Sequence, residues 1–81
     1  MSYLARVDVM LKPGISDPQG QTIEKALPVL GYGGVRGVRV GKRIQLEVDA
    51  ASPDEARSKV EDMCERLLAN PVIESYEVSI A

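Results

Sequence analysis

Twice in this chain of 81 residues an oxygen-bearing side chain followed by proline opens a helical stripe, and each time an alternating apolar stretch precedes it. The two openings are Asp17-Pro18 and Ser52-Pro53. Asp and Ser accept hydrogen bonds from the first free N–H groups of a helix, and a proline just behind them lacks an N–H that would have had no partner there. Ahead of the first opening, Tyr3, Ala5, Val7, Val9 and Leu11 alternate with Leu4, Arg6, Asp8 and Met10. That is the period of a strand with one apolar and one mixed face. Lys12-Pro13-Gly14 ends the strand, because proline cannot donate to a ladder and glycine frees the turn. Strand followed by capped helix, met twice, restricts the chain to an α+β fold of two similar halves.

Inside the first helix Ile23, Ala26, Leu27 and Leu30 fall at i, i+3, i+4 and i+7, and Gly31 is a left-handed stop. Pro28 removes the bond to the Glu24 carbonyl, so a kink or a tightened last turn is expected. Val35 to Val40 and Arg43 to Asp49 read as the next two strands, with Gly41-Lys42 as a two-residue hairpin between them. The apolar parity changes near Gly37, which predicts a bulge. Ser52-Pro53-Asp54-Glu55 is a capping box. Ala56, Val60, Met63, Cys64, Leu67 and Leu68 form the second stripe, with Leu67 expected as a core anchor, while Glu55–Lys59 and Asp62–Arg66 are outward pairs. Asn70-Pro71 stops the helix, and a last strand runs from Ile73 to Ile80. The order β-α-β-β-α-β with right-handed crossovers predicts a single ferredoxin-like sandwich over residues 1–81, a four-stranded antiparallel sheet with two helices on one face.

The chain has few chemical tools. It contains no His, Trp or Phe, and its one cysteine, Cys64, lies on the apolar stripe. Acid–base and nucleophilic chemistry near neutral pH usually recruits His, an activated Cys or carboxylates paired in a dry pocket. The carboxylates Asp54, Glu55, Glu61, Asp62 and Glu65 instead lie at helical spacing among Arg57, Lys59 and Arg66, as a solvated face does. No catalytic residue and no metal site is expected. A net charge of −2 argues against nucleic acid as main partner, and no apolar run approaches the ~20 residues of a membrane-spanning helix. The single cysteine and the absence of a basic-apolar leader predict a cytoplasmic protein. Gly31-Tyr32-Gly33-Gly34 follows a helix and opens a strand, the reverse of a phosphate loop. Arg36, Arg39, Lys42 and Arg43 gather positive charge around the expected hairpin, as a solvated tip or a docking spot. At this length the core is thin and oligomerisation is a common remedy. Composition and pattern together favour a binding or assembly module.

Several stretches in order resemble the PurS family, the small subunit of phosphoribosylformylglycinamidine synthase. They are Leu11-Lys12-Pro13-Gly14, Asp17-Pro18-Gln19-Gly20, Ala26-Leu27 through Leu30-Gly31-Tyr32, Val38-Arg39-Val40-Gly41-Lys42, Met63-Cys64, and Leu67-Leu68-Ala69-Asn70-Pro71-Val72-Ile73-Glu74. The resemblance implies a non-catalytic partner of an ATP-dependent synthetase, PurL, and a glutaminase, PurQ, in purine biosynthesis. Such a subunit would bridge the two for ammonia transfer, self-associate as a dimer or tetramer, and bind no cofactor itself while the complex uses ATP and Mg. It places the partner contacts of this chain at Asp17, Gln19, Arg39, Gly41 and Lys42. The alternative is a small-molecule-sensing ferredoxin-like domain, with its ligand at the loop Pro13-Gly14-Ile15.

Overall fold

A computed structural model describes all 81 residues. Strand β1 (Ser2–Leu11) lies between β2 (Gly41–Asp49) and β3 (Glu74–Ile80) in an antiparallel sheet of order β2-β1-β3. Helix α1 (Pro18–Ala26) runs into a 3-10 turn (Pro28–Leu30), and helix α2 (Pro53–Met63) into a π-helical turn (Cys64–Leu68). The alternation of β1 puts Ala5, Val7 and Val9 at the centre of the sheet's inner face, where they are fully buried. α2 covers them with Ala56, Val60 and Cys64, and Val48, Ala50 and Ala69 complete the core.

Both caps form as their residues predict. Asp17 accepts from the N–H of Gly20, and Ser52 from that of Glu55. Glu55 reaches back to the N–H of Ala51, and the outward pairs Glu55–Lys59 and Asp62–Arg66 close at 3.3 and 3.2 Å. Pro28 opens the 3-10 turn rather than continuing α1, and Gly31 ends it at φ 97°, which a residue with a Cβ adopts only at a cost.

The fold departs from the ferredoxin-like expectation in three places. The sheet has three strands, not four: Gly41 pairs with Met10 and Lys42 with Val9, so Gly41-Lys42 begins β2 instead of turning a hairpin. Gly41 is not among the glycines of positive φ, which a turn led by glycine would need. Residues 35–40 join no ladder, and Gly37, at φ 72°, bends an unpaired segment rather than marking a bulge. Only one helix covers the sheet. α2 packs on all three strands, whereas the substantial contacts of α1 are with the 3-10 turn. Leu67 is 82% exposed and anchors nothing. The π turn, closed by the Ala69 N–H on the Cys64 carbonyl, adds a residue to the last turn and rotates Leu67 off the stripe while keeping Leu68 and Ala69 on it.

The consequence is an arm. Residues 12–40 leave the sheet at Leu11 and return at Gly41, and the molecule measures 51 × 25 × 14 Å. Its radius of gyration is 16.3 Å, against about 12 Å for a compact chain of this length. Of the 11 buried residues only Asp17 and Gly20 belong to the arm, and neither is apolar in its side chain.

Candidate partner-binding site

The joint between arm and sheet is built around one carboxylate. Asp17 Oδ1 accepts from Gly20 N at 2.9 Å and Oδ2 from Val40 N at 2.8 Å, so the residue that caps α1 also ties it to the returning chain. The hydrogen bond from Val40, then that from Gly20, holds the carboxyl below the usual carboxylate range against the opposing effect of burial. The Arg39 guanidinium, 3.9 Å away, adds to the lowering. Further along α1, Glu24 Oε1 accepts from Val38 N at 3.0 Å. Asp17, Gly20 and Glu24 stand at i, i+3 and i+7, one face of the helix turned to residues 38–40. Gly20 is required there: a Cβ would land on the Val38 carbonyl oxygen, with Asp17 Cγ 3.1 Å away.

Arg39 secures the other side. Its Nη1 donates to the Ile15 carbonyl at 2.9 Å, and its Nη2 to those of Lys12 at 3.1 Å and Leu11 at 3.4 Å. The Lys12 and Ile15 carbonyls on either side of Pro13-Gly14, where the ligand-sensing alternative placed its site, are thereby engaged within the chain. Gly41 then enters the sheet so close to β1 that a Cβ would meet the Val9 carbonyl oxygen and Met10 Sδ.

A groove of about 300 Å³ lies along this joint, with Val9, Leu11 and Val40 as its apolar lining and Asp17, Gln19 and Lys42 among its polar residues. A neighbouring hollow of about 410 Å³ shares Pro18, Gln19 and Val40 and extends along α1 to Ile23. The structure therefore brings Asp17, Gln19, Gly41 and Lys42 to one groove, with Arg39 in the adjoining hollow of about 420 Å³ on the side of Ile15. Their roles divide. Asp17, Arg39 and Gly41 hold the joint together, leaving Gln19 and Lys42 as the two whose side chains form no hydrogen bond or ion pair inside the chain.

The expected basic cluster is dispersed. Lys42 shares the inner face of the sheet with Ile44, while Arg43 points to the opposite face and pairs with Asp8 at 2.7 Å. Glu24 and Glu74 were not anticipated. The first shares the face of Asp17 and Gly20, a polar stripe beside the apolar one, and the second lines the groove from β3. Cys64 is fully buried, and burial, then Glu65 and Glu61, push its thiol pKa up, so it packs as a small hydrophobe. No group of three or more His, Cys, Asp or Glu side chains is placed to hold a metal ion, and no helix is long and apolar enough to cross a membrane.

Comparison with known proteins places this architecture. The family model described as PurS, phosphoribosylformylglycinamidine (FGAM) synthase, matches residues 4–81. The PurS subunit of that synthase from Methanocaldococcus jannaschii is 40% identical over 78 residues, covering 96% of this chain and 94% of the relative. That from Mycobacterium leprae is 47% identical over 75 residues, 93% and 91% of the two chains. A chain in the structure of PurLQS from Thermotoga maritima superposes with a TM-score of 0.90 at 38% identity, covering 100% of this chain and 99% of that one, arm included. The chain belongs to the PurS family of phosphoribosylformylglycinamidine synthase.

Proposed function

We propose that this chain is the small, non-catalytic subunit of phosphoribosylformylglycinamidine synthase, acting in the cytoplasm as a single PurS-like domain in purine biosynthesis. It bridges an ATP-dependent synthetase of the PurL kind and a glutaminase of the PurQ kind, so that ammonia released by one reaches the other. ATP and Mg belong to the synthetase. The observation that carries this reading is the end-to-end match to a chain of the PurLQS structure. Holding two active sites in register raises the effective concentration of the transferred molecule without new chemistry, which suits a chain whose one thiol is buried and protonated.

The chain self-associates as a dimer or tetramer, and in the assembled form its sheet is the four-stranded, two-helix ferredoxin-like sandwich. The groove at the joint is a partner contact in which Gln19 and Lys42 supply free donors, while Asp17, Arg39 and Gly41 keep the groove in shape. The test is gel filtration of this chain with PurL-like and PurQ-like proteins, in the presence of glutamine and ADP. All three should co-elute, and Lys42→Glu combined with Gln19→Ala should release the small chain without changing its circular dichroism. Separate elution of the wild-type chain would overturn the reading.

A further inference from the structure

The β3 side of the sheet ends in open main chain, with a single arginine laid across it. β3 is hydrogen-bonded to β1 along one side only, and no strand lies beside its other side. The ladder fixes which groups that outer side carries. The Ala81 N–H donates to the Leu4 carbonyl and the Lys12 N–H to that of Ile73, so both pairs are of the hydrogen-bonded kind. Such pairs alternate along antiparallel strands. Ser75, Glu77 and Ser79 therefore turn their main-chain groups to β1, and Glu74, Tyr76, Val78 and Ile80 turn theirs outward.

An open edge is a template for another strand, and β3 of a second copy fits this one. Laid antiparallel with Val78 opposite Val78, two copies set Tyr76 opposite Ile80 on the α2 side of the sheet and Glu77 opposite Ser79 on the other. Apolar side chains meet, and no like charges stand face to face. The pairing is self-complementary under a two-fold axis. At its centre the two Val78 residues, whose groups both point outward, would exchange N–H···O=C bonds.

That central acceptor is taken. Arg57 of α2 donates from Nη1 to the Val78 carbonyl at 2.6 Å, a short, charge-assisted bond. Its guanidinium stands where the N–H of an incoming strand would have to come. Unlike Lys59 and Arg66 on the same helix, Arg57 forms no ion pair with a carboxylate, and its one hydrogen bond goes to this edge. The near end of the edge is closed as well: the Asn70 carbonyl takes the Glu74 N–H at 2.7 Å, and Glu74 Oε1 takes the Asn70 N–H at 2.6 Å. We propose that the outer edge of β3 is a pairing surface for β3 of a second copy and that Arg57 holds it shut, so that the chain assembles without adding strands across β3. The inference goes beyond the subunit role proposed above and does not depend on it.

The test compares the full-length wild-type chain with Arg57→Ala and Arg57→Lys, by light scattering over a range of concentrations and by amide hydrogen exchange followed by NMR. Arg57 is exposed, so Arg57→Ala should keep the circular dichroism of the wild type. Its mass should rise with concentration to at least twice that of the wild type, and exchange of the Tyr76 and Val78 amides should slow by about tenfold or more. Arg57→Lys, which keeps a donor for the Val78 carbonyl, should stay at the wild-type mass. Arg57→Ala at the wild-type mass throughout, or Arg57→Lys growing as Arg57→Ala does, would overturn the proposal. So would a gain in mass with the Tyr76 and Val78 amides exchanging as in the wild type, which marks association through another surface.

Discussion

Gly20→Ala opposes two physical effects of known size and shows which one governs the arm. Gly20 is the third residue of α1, and by helix propensity alone alanine is better than glycine by about 1 kcal/mol. The new methyl would be built onto the Val38 carbonyl oxygen, with the Val38 carbonyl carbon 3.0 Å and Asp17 Cγ 3.1 Å away. Two of these are backbone atoms, so no flexible side-chain end can swing aside. Forcing a filled site apart costs about 1–3 kcal/mol. Moving Val38 also stretches its bond to Glu24, which is half-exposed; hydrogen bonds to a charged group are worth about 1.5–3 kcal/mol, and the lower end applies here. After the propensity gain, the net loss is about 2 kcal/mol. A domain of this size shifts by about 4–8 °C per kcal/mol, so the melting temperature should drop by about 8–16 °C. Thermal unfolding followed by circular dichroism, with both proteins at one concentration because subunit association shifts the midpoint, reads this directly. An unchanged or raised melting temperature would refute the account of α1 and residues 38–40 as one packed unit.

Other substitutions follow from burial and charge. Leu67→Ala should change stability by no more than about 0.5 kcal/mol, since Leu67 is 82% exposed, whereas Val60→Ala in the sealed core should cost about 2 kcal/mol; denaturant titration of the pair tests the rotation imposed by the π turn. The Asp17 carboxyl is held below its ordinary 3.8, so its contribution is complete above about pH 4 and is lost as pH falls through the lowered folded value. Melting temperatures from pH 6 to pH 2 should therefore fall less steeply in Asp17→Asn than in wild type, and parallel curves would contradict the role given to Asp17. Cys64 should resist alkylation by iodoacetamide at pH 8 until the chain unfolds, because its thiol is buried and its pKa raised; labelling of the native protein at the rate of a free thiol would show the core to be open.

Much of this architecture was legible in the sequence because it rests on short-range chemistry. Asp17, Ser52 and Glu55 cap as their neighbours dictate, Pro28 ends α1, and the alternation of β1 fixes its buried face. The misreadings share one cause, a competition that local pattern does not decide. Gly41-Lys42 suits either a hairpin turn or the start of a strand, and the outcome depends on two carboxylates far back in the chain, Asp17 and Glu24, which take the N–H groups of Val40 and Val38. Leu67 sits at the right helical spacing until a single extra residue enters the turn before it. The five site residues were brought in by family resemblance, and four of them line one groove. Their division into Asp17, Arg39 and Gly41 as builders of the joint and Gln19 and Lys42 as free groups needed the geometry, because a buried cap and an exposed acid have the same letter. The exposed arm was the least legible feature. Its apolar stripe is indistinguishable from one that packs on its own sheet.

The role as a bridge is tested most directly by the steady-state rate of formylglycinamidine ribonucleotide formation by PurL-like and PurQ-like proteins, measured with and without this chain and with glutamine or ammonium chloride as nitrogen source. A subunit that couples two active sites and performs no chemistry predicts a glutamine-supported rate that collapses when the chain is left out and an ammonia-supported rate that does not change. Equal glutamine-supported rates in its presence and absence would contradict it.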